Sequence, residues 1–290
     1  MEFIETLLNG LSIGSTYAVI ALGYTMVYGI AKMLNFAHGD VIMVGGYMIF
    51  LTMASLGNPI LGLLVAVAFC VLLGISIEKV AYKPLRGASP LAVLITAIGV
   101  SYLLQSTAQI IFGSAPKMVI VADFGNLTIG NLTIPYYMLI TLGCSVVIMI
   151  ALSLFVKYTK TGRAMIAVSE DRGAAQLMGI NVNGIITITF AIGSGLAAFA
   201  GFFMLLKSPS LSNTLGAMPG IKAFTAAVIG GIGSIPGAMV GGILMGVVEA
   251  ISLKIPVIAP YTDAIEFLVL IVILLVRPSG ILGKVRREKV

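Results

Sequence analysis

Residues 60–77 read ILGLLVAVAFCVLLGISI, with no charge anywhere in the run. A helix needs roughly 20 apolar residues to cross a bilayer. Inside hydrocarbon the backbone must satisfy its own hydrogen bonds, which an α-helix does within one segment. The stretch is therefore expected to be a membrane-spanning helix. Seven further runs share its character, at 8–31, 41–56, 91–112, 135–157, 184–206, 235–252 and 262–276. The chain of 290 residues is 59% hydrophobic and only 10% charged, against about 25% charged in a soluble domain. These features predict an all-α integral membrane protein, a polytopic helical bundle of about eight full spans forming one membrane domain over residues 1–290. The 34 glycines suit helices packed backbone to backbone, as small residues allow in lipid.

A ninth apolar stretch, KAFTAAVIGGIG at 222–233, is too short to cross as a regular helix. Gly230, Gly231 and Gly233, followed by Ser234 and Pro236, predict a discontinuous membrane segment, which is tolerated where protein or a water-filled cavity covers it. Orientation is read from Lys and Arg, which gather on the cytoplasmic side. Lys32, Lys79, Lys83, Arg86, Lys157, Lys160, Arg163, Arg172, Arg277, Lys284, Arg286, Arg287 and Lys289 make thirteen of the seventeen bases. Placing them inside puts the amino terminus, with Glu2 and Glu5, outside and the carboxyl terminus in the cytoplasm. That requires an odd number of crossings, which the short ninth segment supplies. The opening MEFIETLLNG has no basic n-region, so a cleaved signal peptide is not expected. Within 113–134, NLTIGNLTIP with its central Gly130–Asn131 reads as a small hairpin.

Composition also excludes functions. The net charge of +6 lies at the ends of apolar runs, where topology explains it, so membrane lipid rather than nucleic acid is the expected partner surface. Cys70 and Cys144 have neither metal-type nor redox-type spacing, and one histidine cannot build a metal cluster. The sequence has no G-x-x-x-x-G-K-[ST] loop for nucleotide phosphates and no catalytic constellation. No catalytic residue, bound metal or cofactor is expected in this chain, and an energy source must come from elsewhere.

The polar stretch NFAHGD divides two apolar runs, and its Gly39 is expected to allow a tight bend. Asn35, Phe36, His38, Gly39 and Asp40 admit three readings: a water-exposed turn with Asp40 capping the next helix, a re-entrant break lining a solute path, or a proton relay. An ionised carboxylate deep in the bilayer costs at least about 2.5–3.5 kcal/mol. Asp263 and Glu266 are accordingly expected to form an exposed acidic helix start, and Glu249 either to face the protein interior or to be solvated near the end of its span.

The loop 158–183 contains a second signal. Ser169 can cap, Glu170 and Asp171 suit the first turn of a helix, and Gly179 stops it. Between them Arg172, Ala174, Ala175, Leu177 and Met178 form a short body that is marginal alone in water. Docking against a partner is the expected use, because a helix lying on lipid usually has a basic face.

The stretch GRAMIAVSEDRGAAQLMGINV (162–182) resembles the coupling loop of permeases in branched-chain amino-acid ABC importers of the LivH type. NGLSIGSTYAVIALGYTMVYGIAKMLNFAHGDVIMVGGY (9–47), FTAAVIGGIGSIPGAMVGGILMG (224–246) and RPSGILG (277–283) resemble the same family, and the likeness covers nearly the whole chain. It implies an importer of the bacterial or archaeal cytoplasmic membrane working by alternating access. It also implies a second, LivM-like permease subunit, two cytoplasmic ATPases that bind ATP and Mg, and a periplasmic or lipid-anchored binding protein. Residues 170–179 would be the ATPase-coupling helix. Gly173 departs from the family pattern, and Gly there costs roughly 1 kcal/mol relative to Ala. A permease of the same architecture for urea, short amides or another small polar solute is one alternative. A proton-coupled secondary transporter using His38 and Asp40 is another, from a different class.

Overall fold

A computed structural model of the chain describes residues 2–122, 124–129 and 132–283. In chain order the helices are α1 (Glu2–Ala31), α2 (His38–Leu56), α3 (Pro59–Ile77), α4 (Pro90–Phe112), α5 (Tyr136–Tyr158), α6 (Lys160–Glu170), α7 (Arg172–Leu177), α8 (Val182–Lys207), α9 (Ala217–Gly230), α10 (Ile235–Lys254) and α11 (Thr262–Val276). The short strands are β1 (Lys117–Met118), β2 (Asn126–Ile129), β3 (Leu132–Pro135) and β4 (Ser210–Leu211). Among the described residues eight helices are long and apolar enough to cross a membrane, and α9 is a shorter apolar helix. Local sequence sets several starts. Asn58 accepts from the amides of Ile60 and Leu61 ahead of α3, Ser89 from Ala92 ahead of α4, and Ser234 from Gly237 ahead of α10. Each cap satisfies one or two of the amides a helix start leaves without partners.

The long, largely buried α1 forms the centre, packed against α10, α8, α9 and α5. Its closest neighbour runs antiparallel to it. Gly10, Gly14 and Ala18, four residues apart, lie against Gly242, Gly246 and Ala250. A Cβ at Gly14 would sit 2.7 Å from the Ile243 Cα, and one at Gly10 2.9 Å from the Val247 Cα. The two backbones touch because neither helix has side chains there to hold them apart. Facing outward, α3, α4, α5 and α11 expose Leu64, Leu103, Ile110, Val147 and Leu275. A surface so apolar matches lipid.

Two breaks shape the interior. After Ala31 the chain turns at Lys32 (φ +53°), and irregular residues re-enter the bundle before α2 begins at His38. The His38 ring lies against Gly23, eight residues before the end of α1 and so about 12 Å inside it. From the opposite end, irregular residues after α8, held by β4 pairing with β1, lead inward to α9. The two helix starts meet. A Cβ on Gly39 would come within 2.5 Å of the Gly216 oxygen, and one on Gly220 within 3.1 Å of the Gly39 Cα. Gly39 therefore serves close approach, not the tight bend expected of it.

The interruption expected at 222–233 is displaced. Gly231, Gly233 and Ser234 lie in the turn between two antiparallel helices, with Gly230 ending α9 and Pro236 in the first turn of α10; Gly231 and Gly233 have φ +106° and +93°. The irregular part of this traverse precedes α9 instead. The turn is closed by RPSGILG, whose Ile281 and Leu282 amides donate to the Ile229 and Gly230 carbonyls at 2.8 and 2.9 Å. Those are carbonyls that the end of α9 leaves unpaired. The seven remaining spans start and end within three residues of expectation, while α1 begins six residues earlier. The expected hairpin forms with β2 antiparallel to β3; its Gly130–Asn131 turn, like Lys284, Arg286, Arg287 and Lys289, lies outside the described residues.

Candidate solute path and coupling surface

The stretch NFAHGD is buried, which corrects the water-exposed turn: Asn35, His38 and Asp40 have between 1% and 4% of their surface exposed. The Tyr82 hydroxyl donates to Asn35 Oδ1 at 2.9 Å. Asp40 does not cap α2. The cap position is Ala37, with no side-chain bond, and Asp40 Oδ1 accepts from Gln105 Nε2 of α4 at 2.8 Å. His38 stands edge-on to Tyr24 at 4.8 Å, and its Nε2 has no hydrogen-bond partner. The structure thus brings Asp40 to α4 and not to His38. Tyr24 and Phe36 both meet Phe224 of α9, with centroids 5.7 and 5.4 Å away. Just beyond, the crevice among Tyr28, Asn35 and Phe224 is too narrow to admit water.

The loop after α5 is more ordered than its sequence implied. Residues 160–170 form α6, which buries Gly162, Met165 and Val168 at every third position. Ser169 is not the cap of the following helix, since its hydroxyl donates to the Ile166 carbonyl. Asp171 is, accepting from the Ala174 amide at 3.0 Å, so Glu170 closes α6 and α7 is shorter than 170–179. Gly179 ends it in the left-handed region at φ +80°, as read from the sequence. Ala175 faces its own chain at 3% exposure, whereas Leu177 and Met178 stand 90% and 83% exposed. The surface on offer is therefore Leu177–Met178. Arg172 points the other way and donates to the Ile30 carbonyl at 3.2 Å and to that of Ala31, satisfying the end of α1. Burial and the nearby Arg86 lower its pKa from the usual guanidinium value. Arg86 itself pairs with Glu78, a buried carboxylate that also accepts from Thr187 at 2.7 Å.

The largest departure from sequence expectation is a buried ion cluster. Lys222 of α9 lies 2.8 Å from Asp263 and 3.3 Å from both Glu249 and Glu266. The Tyr17 hydroxyl donates to Glu249 Oε2 at 2.6 Å. Asp263 keeps the exposure expected of it, with 54% of its side chain accessible. Glu266 is fully buried, which corrects its reading as an exposed helix-start acid, and Glu249 is nearly so, facing the interior. The signal for this cluster was a lysine inside the short apolar stretch. Its weight was missed because the three acids lie 27–44 residues further along the chain.

A bundle whose backbone is twice interrupted in its interior, where protein covers the irregular segments, is the construction of a polytopic membrane permease. The chain belongs to the permease family of branched-chain amino acid transport systems: residues 6–274 match the family described as "Branched-chain amino acid transport system / permease component". It is 44% identical to the high-affinity branched-chain amino acid transport system permease protein BraD of Pseudomonas aeruginosa, over 100% of this chain and 98% of that protein. It is 42% identical to the permease protein LivH of Escherichia coli K12 with the same coverage. Among solved structures, PsaBC from Streptococcus pneumoniae in complex with Fab is matched with a TM-score of 0.48 at 15% identity, over 95% of this chain and 91% of that one.

Proposed function

We propose that this chain is the membrane-spanning permease subunit of an ATP-binding-cassette importer that translocates branched-chain amino acids by alternating access. The observation that supports this best is the full-length likeness to BraD and LivH, whose names state that transport. The subunit pairs with a second permease and two cytoplasmic ATPases, which bind ATP and Mg, and receives solute from an external binding protein. The amino terminus lies outside and the carboxyl terminus inside. The start of α1 and the 277–283 segment, at opposite ends of the bundle, accord with this. Leu177 and Met178 dock on an ATPase. Arg172 then passes its movement to the end of α1 and to the re-entrant residues behind it, because α7 and α1 share those hydrogen bonds.

The expected result is ATP-dependent uptake of leucine, isoleucine or valine by proteoliposomes holding the whole assembly, unchanged when an ionophore collapses the proton gradient. Uptake that needs the gradient and not ATP overturns the reading. Leu177→Asp tests the docking surface separately. Removing a buried leucine contact costs about 1.5–3 kcal/mol, roughly a ten- to hundredfold loss of ATPase affinity, while insertion and thermal stability of the permease stay unchanged. Undiminished ATPase co-purification with this variant would exclude α7 as the docking element.

A further inference from the structure

We propose that a cavity lined by α1, α8, α9 and α10 is a transit site for a zwitterionic, apolar-side-chain amino acid; this rests on the importer reading above. The cavity has a volume of about 310 Å3. Small-molecule sites begin at about 300 Å3, so there is room for one small solute. Its lining includes apolar Ile13, Phe203, Leu215 and Met218. It also includes charged Lys207, Lys222 and Glu249. An amino acid of this kind combines the same two characters: an uncharged branched body with an ammonium and a carboxylate.

The lining holds a charged partner for each end of such a solute. Glu249 is the carboxylate among the lining residues; its Oε2 accepts from the Tyr17 hydroxyl at 2.6 Å and lies 3.3 Å from Lys222. The solute's ammonium pairs with Glu249. The solute's carboxylate has two complementary features. Lys207 is exposed at the end of α8 and lines the cavity, and α9 begins at its wall, with Met218 and Pro219 in the lining. A helix start within a membrane bundle favours an anionic group. Pairing both ends of the zwitterion offsets the desolvation that either charge alone suffers.

The cavity also has a floor. Two turns further along α1 and just past Lys222 on α9, Tyr24 and Phe224 meet, with Phe36 against Phe224. Beyond them the crevice is closed to water. The site is thus open at the end where α8 and α10 finish and shut toward Asn35, the arrangement of a solute station above a closed gate.

The test uses the complete permease–ATPase assembly without binding protein or nucleotide. A Ser208→Cys substitution on the cavity lining is made in a Cys144→Ser background, since Cys70 is buried. Leucine is expected to slow alkylation of residue 208 by N-ethylmaleimide. 4-Methylpentanoate, which lacks the ammonium, and 3-methylbutylamine, which lacks the carboxylate, should each need about tenfold more or higher concentration to protect, the worth of one charged hydrogen bond. Lys207→Ala, a change at an exposed residue, should weaken protection by leucine by a similar factor and leave that by the amine unchanged. Absent protection by leucine, equal protection by 4-methylpentanoate, or a Lys207→Ala variant indistinguishable from its parent would each overturn the site. ATP-driven leucine uptake by the same assembly, supplied with binding protein, separates the two readings. Uptake without protection refutes the cavity alone; absence of uptake refutes the importer reading and the site with it.

Discussion

Lys222→Ala is expected to destabilise the folded protein by about 3–5 kcal/mol, the usual effect of removing one partner from a buried ion pair. The loss is large because the substitution strands Glu266, which has no surface exposed, beside Glu249. The mutual repulsion of these two acids is then no longer offset by an ammonium 3.3 Å away. Unfolding by heat or SDS in detergent should start well below that of the parent. Adding Glu266→Leu to Lys222→Met should recover part of the difference, because a buried charge network replaced by apolar groups of similar volume is often nearly neutral. A Lys222→Ala protein that unfolds like its parent would mean that the cluster is not buried as described.

Gly246→Leu should be worse still. A Cβ at this position falls inside the backbone of Gly14, and a backbone cannot rotate aside as a side chain does. Overpacking typically costs about 1–3 kcal/mol, and here the whole α1–α10 contact must separate. We expect a protein that inserts yet aggregates on extraction, with Gly246→Ala showing a milder form of the defect. Gly143→Ala, where nothing lies within 4 Å of the added carbon, is the control and should behave as the parent. Monodispersity of the three variants in gel filtration decides the point.

The positions of the spans were legible from residues alone, because crossing hydrocarbon imposes one requirement, some twenty apolar positions in a closed helix. That requirement acts within a segment. The stop at Gly179 was likewise local, and so are the caps at Asn58, Ser89 and Ser234 that the structure revealed, since each concerns a side chain or backbone angle and its own neighbours. At α7 two caps competed within three residues. Ser169 against Asp171 was settled by α6, whose buried face carries the helix through Ser169.

Only the tertiary structure decided the rest. That Glu266 is buried follows from Lys222 arriving on a different helix, and nothing near residue 266 announces it. That Gly39 serves contact instead of bending follows from Gly216, which lies 177 residues later in the sequence. Ala175 and Leu177 look alike as candidates for docking until α7 is oriented, and the bonds from Arg172 to the end of α1 do that. Apolar length and capping are properties of a segment and its solvent, so the sequence alone determined a membrane bundle and most of its helix ends. Charge pairing, backbone contact and the direction of a face are properties of two segments at once, and folding chose which two.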